Sequence, residues 1–296
     1  MKLLRLIRID NLLLLAFVQL IFRYGFLEYQ AQLPIALEHW QYALLILSCV
    51  CIAAGGFLIN AVLDRGHPAD YPEAKAYNIY ALLNIIGVGI GFYLSNYIGK
   101  PGFATLFIIV AATLYIYASS LRQSLLIGNF IIAVIVALSV LIVGIFNLYP
   151  VIIPENQGYL GTIFELFIDY AIFGFLITFL RELVKDLRDT DIDYNSGRST
   201  LPIILGRERA AKVVFFLAFI PLGLLLYYAD VYMLNLLWSL IYLLLFIAGP
   251  IIYFIIKLWG AKTPKDLDHL ALVLKLVLVF AAISIAVIIF DIIYHA

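Results

Sequence analysis

Asp186, Asp189 and Asp193 stand at i, i+3 and i+7 within the run Arg181-Glu182-Leu183-Val184-Lys185-Asp186-Leu187-Arg188-Asp189-Thr190-Asp191-Ile192-Asp193. On a helix that spacing puts the three carboxylates on one face. They would repel one another without a cation among them. A charged side chain near the membrane interior also costs about 2.5–3.5 kcal/mol on insertion scales. Charge this dense beside an apolar segment therefore points to a bound partner, and a divalent cation is the one that carboxylates favour.

A second acidic group lies far upstream. Asn60 and Asp64 are spaced i, i+4 at the expected end of a helix and share a face, before Gly66 and Pro68 stop it. Two acidic patches facing one cavity suit Mg²⁺, a hard cation that takes oxygen ligands and commonly shares its shell with substrate phosphates. Arg122, Lys185, Arg188 and Arg198 can neutralise the remaining phosphate charge, the arginines by bidentate contacts. Such a clamp on a diphosphate stabilises the charge that builds on it as it leaves. The carbon fragment left behind is electron-poor. The 21 Phe, 20 Tyr and three Trp give an isoprenoid tail and cation a π-rich wall.

The elements that must position these groups are membrane helices. The 296 residues are 65% hydrophobic and 13% charged, which excludes a soluble globule. A spanning helix needs about 20 apolar residues. Nine stretches qualify: 11–27, 40–63, 77–98, 102–118, 124–149, 159–180, 210–228, 231–256 and 267–293. They are too long and too uniformly apolar for barrel strands, and backbone polar groups cannot go unpaired in lipid. The expected fold class is all-α: a polytopic membrane protein, a bundle of nine transmembrane helices, with residues 1–296 as one domain.

Net charge is zero, but its distribution is not. With the N-terminus inside, sixteen of the nineteen Lys and Arg fall in inside segments, Arg23 and Lys100 fall outside, and Lys275 lies within the ninth span. The positive-inside rule thus supports an N-terminus in the cytoplasm, a C-terminus outside and the aspartate loops on the cytoplasmic face, in a cell inner membrane. The first apolar stretch lacks a small-residue cleavage site and Arg23 follows it closely, so it reads as a retained helix. Cys49 and Cys51 point to different faces of the second span and read as packing residues. The four histidines lack ligand spacing. Gly56-Phe57-Leu58-Ile59-Asn60 and Gly174-Phe175-Leu176-Ile177-Thr178 precede the two acidic segments and hint at a duplicated four-helix unit.

The order Asn60-x-x-x-Asp64 after span two, Tyr117-x-x-x-x-Arg122 after span four and Lys185-Asp186-x-x-Asp189-x-x-x-Asp193 after span six resembles the UbiA superfamily of intramembrane prenyltransferases. The downstream string through Gly197, Arg198, Thr200, Leu201 and Pro202 and the opening Arg8-Ile-Asp-Asn11 are similar to that family as well. The resemblance implies Mg²⁺-dependent transfer of a polyprenyl group from its diphosphate to a lipophilic acceptor within the membrane, with lipids as neighbours and no nucleic acid. Asp64, Asp189 and Asp193 would be the metal ligands. Tyr117, Arg122 and Asp186 would be catalytic, Tyr117 near the reacting allylic carbon and Arg122 in place of a family lysine. Arg8, Asn11, Asn60, Lys185 and Arg198 would bind substrate.

Where the family's first motif has Asp or Gln and a further Asp, this chain has Ala61 and Pro68; Asp70 is the nearest substitute. The string Arg181-Glu182-Leu-Val-Lys185-Asp186, with Thr200-Leu201-Pro202, most resembles the branch that prenylates geranylgeranylglyceryl phosphate. Three other readings stay open: prenylation of an aromatic quinone precursor, a catalytically degenerate lipid-binding relative, and a membrane transporter. Against a transporter, the carboxylates gather at one membrane face instead of the midplane.

Overall fold

The structure is a computed structural model that describes residues 2–30, 33–64 and 71–295. Among the described residues, nine helices are long and apolar enough to cross a membrane. They are α1 (Ile9–Tyr29), α2 (His39–Val62), α3 (Glu73–Tyr97), α4 (Pro101–Ser119), α5 (Ile127–Val151), α6 (Gln157–Asn195), α7 (Arg207–Tyr232), α8 (Leu237–Leu258) and α9 (Pro264–His295). Each contains one of the nine expected stretches, allowing for a few residues at the ends. The fold is an all-α membrane protein.

The chain divides into two compact units, Met1–Gln19 with Gln32–Arg122 and Leu138–Ile168, and Leu20–Ala31 with Gln123–Ala137 and Asp169–Ala296. In the first unit, α2 is the most enclosed helix, with Tyr42, Leu45, Leu58 and Ile59 fully buried. Lipid gives helices no hydrophobic drive to associate, so their contact relies on close packing and hydrogen bonds. Gly87 and Gly91 of α3 supply the close approach. A Cβ on Gly87 would lie 2.7 Å from the Ile52 side chain, and one on Gly91 would lie 2.4 Å from the Phe107 ring. The Ser48 hydroxyl donates to the Gly87 carbonyl at 2.6 Å. This packing fixes the end of α2, where Asn60 sits beside buried Leu58 and Ile59. Cys49 is half-buried and Cys51 buried, both free thiols within the span.

In the second unit, Ile177, Leu180, Leu183, Val184 and Leu187 of α6 join a buried cluster with Val214 of α7, Ile251 and Phe254 of α8, and Leu270 and Leu274 of α9. That cluster corrects the sequence reading of α6. The span expected to end near 180 and give way to a loop continues as helix to Asn195. Leu183, Val184 and Leu187 keep the apolar spacing going, and no Gly or Pro interrupts before Gly197. Gly197, at φ +72, closes the helix in a conformation that favours glycine. The aspartates therefore ride on a rigid helix face.

α8 contains a π-helical turn, Leu243–Ala248, just ahead of Gly249 and Pro250. Proline lacks an N–H and its ring crowds the carbonyl four residues back, and a widened turn relieves both problems. At the far end of α9, buried Asp291 accepts from the Ser239 N–H at 2.8 Å and the Ser239 hydroxyl at 2.9 Å, which ties α9 to the start of α8.

Candidate active site

The polar side chains that the sequence singled out form two sets, one in each unit. In the first unit the organiser is Arg122, in the short 3₁₀ turn Leu121–Gln123 after α4. Its guanidinium donates to the Asn60 side-chain oxygen at 3.3 Å and pairs with the Asp64 carboxylate at 2.8 Å. The i, i+4 reading of Asn60 and Asp64 needs one correction. α2 ends at Val62, with Leu63 as its cap, so Asp64 lies just beyond the helix. The two residues still converge, because one arginine reaches both. Arg8 sits at φ +52 in the break before α1, with its guanidinium 5.6 Å from the centre of the Phe57 ring, one turn ahead of Asn60. The Asn11 N–H donates to the Arg8 carbonyl at 2.8 Å. Tyr117 is half-buried in the last turn of α4. Pro68 and Asp70 lie outside the described residues, as does Gly66.

In the second unit, Glu182, Asp186, Asp189 and Asp193 run along one stripe of α6. Asp186 accepts from the Asn129 amide at 2.7 Å. Asp189 takes a bidentate contact from Arg188 at 2.7 and 2.6 Å, and the same guanidinium reaches Asp268 of α9 at 2.6 Å. Asp193 is 2% exposed and pairs with Arg198 at 2.6 Å. Lys185, expected to face substrate, donates to Glu182. Among the described residues no group of three His, Cys, Asp or Glu is close enough to hold a metal ion by itself. The spacing explains this: seven residues of helix separate Asp186 from Asp193 by about 10 Å. Instead of one ring of carboxylates, the stripe is a series of carboxylates each with its own partner: Lys185 for Glu182, the neutral Asn129 amide for Asp186, Arg188 for Asp189 and Arg198 for Asp193.

Asn129, Glu182 and Asp268 were not legible as site residues. Asn129 had one available signal, an amide early in an otherwise apolar span, where polar groups tend to be functional. Asp268 pairs with a residue 80 positions away, and nothing local announces it.

No family model matches the chain. Among curated proteins it is 29% identical over 219 residues to the digeranylgeranylglyceryl phosphate synthase of Methanosphaera stadtmanae, covering 69% of this chain and 71% of that protein. It is 33% identical over 185 residues to the synthase of that name from Sulfolobus acidocaldarius, covering 60% of each. Among solved structures, one of digeranylgeranylglyceryl phosphate synthase aligns over 97% of this chain and 96% of that one, with a TM-score of 0.66 and 20% identity. A UbiA homologue from Archaeoglobus fulgidus, bound to DMAPP and Mg²⁺, aligns over 96% of this chain and 99% of that one, with a TM-score of 0.62 and 16% identity. The chain is thus similar in sequence to digeranylgeranylglyceryl phosphate synthases and shares the fold of UbiA homologues.

The donor set of this chain fits Mg²⁺. Asn60, Asp64, Asp186, Asp189 and Asp193 offer oxygen only, and Mg²⁺ is usually held by one or two carboxylates, with water and substrate phosphates completing its octahedron. The first set supplies one carboxylate, Asp64, and the second three, so each meets that need. The cations now paired to those carboxylates are mostly arginines, whose planar fork matches phosphate as well as carboxylate.

Proposed function

We propose that this chain is a Mg²⁺-dependent intramembrane prenyltransferase that moves a polyprenyl group from a prenyl diphosphate to a lipophilic acceptor, and that the acceptor is geranylgeranylglyceryl phosphate. One observation carries the reading. The oxygen donors at both motif positions are matched with arginines: Asn60 and Asp64 with Arg122, Asp189 with Arg188, and Asp193 with Arg198. A site built to take a metal diphosphate needs both partners, carboxylates for the cation and guanidiniums for the phosphate oxygens. The relatives from Methanosphaera and Sulfolobus support the choice of acceptor.

Asp64, Asp189 and Asp193 are the metal ligands in this mechanism, with the Asn60 amide beside Asp64. Bound Mg²⁺ supplies Lewis-acid charge on the diphosphate as it departs. Arg122, Arg188 and Arg198 exchange their carboxylate partners for diphosphate oxygens, so that no buried charge is left uncompensated. The bond between the allylic carbon and the diphosphate oxygen breaks with its electron pair going to diphosphate. The acceptor hydroxyl forms the new C–O bond, and its proton passes to the departing diphosphate. Tyr117 faces the electron-poor allylic carbon, and Asp186, held by the Asn129 amide, lines the site at the level of Lys185. Arg8 and Asn11 contribute to binding of the substrate's charged end. Residues 1–296 act as one domain in an inner membrane, with the N-terminus and both aspartate segments on the cytoplasmic side.

The test is diphosphate release from geranylgeranyl diphosphate by the purified protein in lipid, with and without Mg²⁺. A glyceryl-phosphate lipid or hydroxylated aromatics would be added in parallel. Release that needs Mg²⁺ and rises only with the glyceryl-phosphate lipid is the expected result. Stimulation by an aromatic acceptor alone would replace the acceptor, and no release with any acceptor would remove the transferase.

A further inference from the structure

Within the second unit, the faces of α8 and α9 line an open apolar groove of about 320 Å³. That volume lies at the lower end of the roughly 300–1,000 Å³ typical of small-molecule sites. One wall is the stripe His269, Val273, Leu276 and Phe280 of α9, and the other is Gly249, Pro250 and Tyr253 of α8. From His269 to Phe280 is eleven residues, about 16 Å of helix. That is close to half of the roughly 30 Å hydrocarbon core, about the length of one leaflet.

Its two ends differ in chemistry. At the Phe280 end the lining is hydrocarbon and aromatic. At the other end the Tyr253 hydroxyl and His269 Nε2 are 3.0 Å apart, and the Lys257 ammonium lies 5.9 Å from the centre of the Tyr253 ring. Lys265, one turn before His269 on the same stripe, is exposed, as is Trp259, an interfacial residue type. The acidic residues nearby are committed. Asp266 accepts from the Thr263 and Lys262 N–H groups at the helix start, and Asp268 holds Arg188. Among the described residues neither Lys257 nor Lys265 takes part in an ion pair. The mouth is therefore cationic, beside an apolar groove about one leaflet long. Asp268 links it through Arg188 to Asp189, so the mouth adjoins the aspartate stripe.

We infer that this groove docks the lipid-phosphate acceptor, with a single isoprenoid chain along α9 and the phosphate beneath Lys257, Lys265 and His269. The inference rests on the transferase reading for its choice of occupant. A mixed-charge or neutral lipid would leave the lysines unmatched, and the single-chain lipid phosphate is the acceptor that the proposed transfer uses. Val273 and Leu276 then act as specificity residues through the chain they contact.

The experiment uses the full chain in phosphatidylcholine nanodiscs, without prenyl diphosphate or Mg²⁺, so that no turnover enters the readout. Retention of geranylgeranylglyceryl phosphate is counted by native mass spectrometry against geranylgeranylglycerol, which lacks the phosphate, and against a two-chain phosphatidic acid. At least tenfold tighter retention of the single-chain phosphate is expected, with at least a tenfold loss in Lys257→Glu and in Val273→Trp. Equal retention of phosphatidic acid, no dependence on the phosphate, or indifference to both substitutions would overturn the docking site. A variant-free arm guards against misfolding: a diazirine on the last isoprene unit should label the 273–280 segment of the wild-type protein, and labelling confined to other helices would also sink the inference. Binding without any diphosphate release would uphold the groove and remove the transferase. Transfer to an aromatic acceptor without lipid-phosphate binding would do the reverse.

Discussion

At the scale of single residues, Asp64, Asp189 and Asp193 each face an arginine, and that makes their substitutions distinguishable. Asp189→Asn keeps the shape and can still hydrogen-bond Arg188, but loses the anionic metal ligand. Turnover should fall by more than about 100-fold, with the protein still folded by thermal melt, in line with losses at other charge-stabilising groups. Near-normal turnover would take Asp189 out of the site. Arg122 sets a finer test. Lysine there keeps the charge but cannot span Asn60 and Asp64 together, so Arg122→Lys should retain more activity than Arg122→Ala while weakening prenyl diphosphate binding. Equal defects in the two would show that charge plays no part. The residues carrying these arguments were readable from their types and spacing. Their partners were not: Asn129 reaches Asp186 across 57 positions, and a hydrogen bond of that reach leaves no trace in local pattern.

At the scale of elements, α6 and α3 matter most. The aspartates work from a continuous helix instead of a loop, and Gly197 ends it at positive φ. Gly197→Ala imposes a left-handed residue with a Cβ, costing about 1–2 kcal/mol. It should lower the melting temperature and weaken prenyl diphosphate binding together, because the chain beyond it carries Arg198. A fall in melting temperature with unchanged binding would separate the turn from the site. Gly91→Val places a side chain against the Phe107 ring, where even a Cβ comes within 2.4 Å. Overpacking of this kind costs about 1–3 kcal/mol, so reduced thermal stability in detergent is expected. Unchanged stability would mean that α3 and α4 can move apart freely. The spans themselves were legible because lipid leaves only the helix as a solution for such apolar stretches. The true end of α6 was not, since residues 181–195 look like loop by charge and are held helical by burial of Leu183, Val184 and Leu187.

At the scale of the whole molecule, Mg²⁺ and orientation are the quantities to measure. Chelation should abolish diphosphate release and be reversed by added Mg²⁺; release that survives chelation would remove the metal from the mechanism. A cysteine placed at Lys262 in a background without Cys49 and Cys51 should be shielded from an impermeant thiol reagent outside intact cells, and one at Lys100 should react. The opposite pattern would invert the topology.

The sequence by itself determined the nine spans, the expected orientation and the two motif positions, because hydrophobic length, Lys and Arg distribution and helical spacing are local or additive properties. Tertiary structure alone decided which cation holds which carboxylate, that Lys185 turns to Glu182, and that a basic-mouthed groove forms beside α9. Those outcomes depend on pairs of residues far apart in the chain, and only packing determines which of them meet.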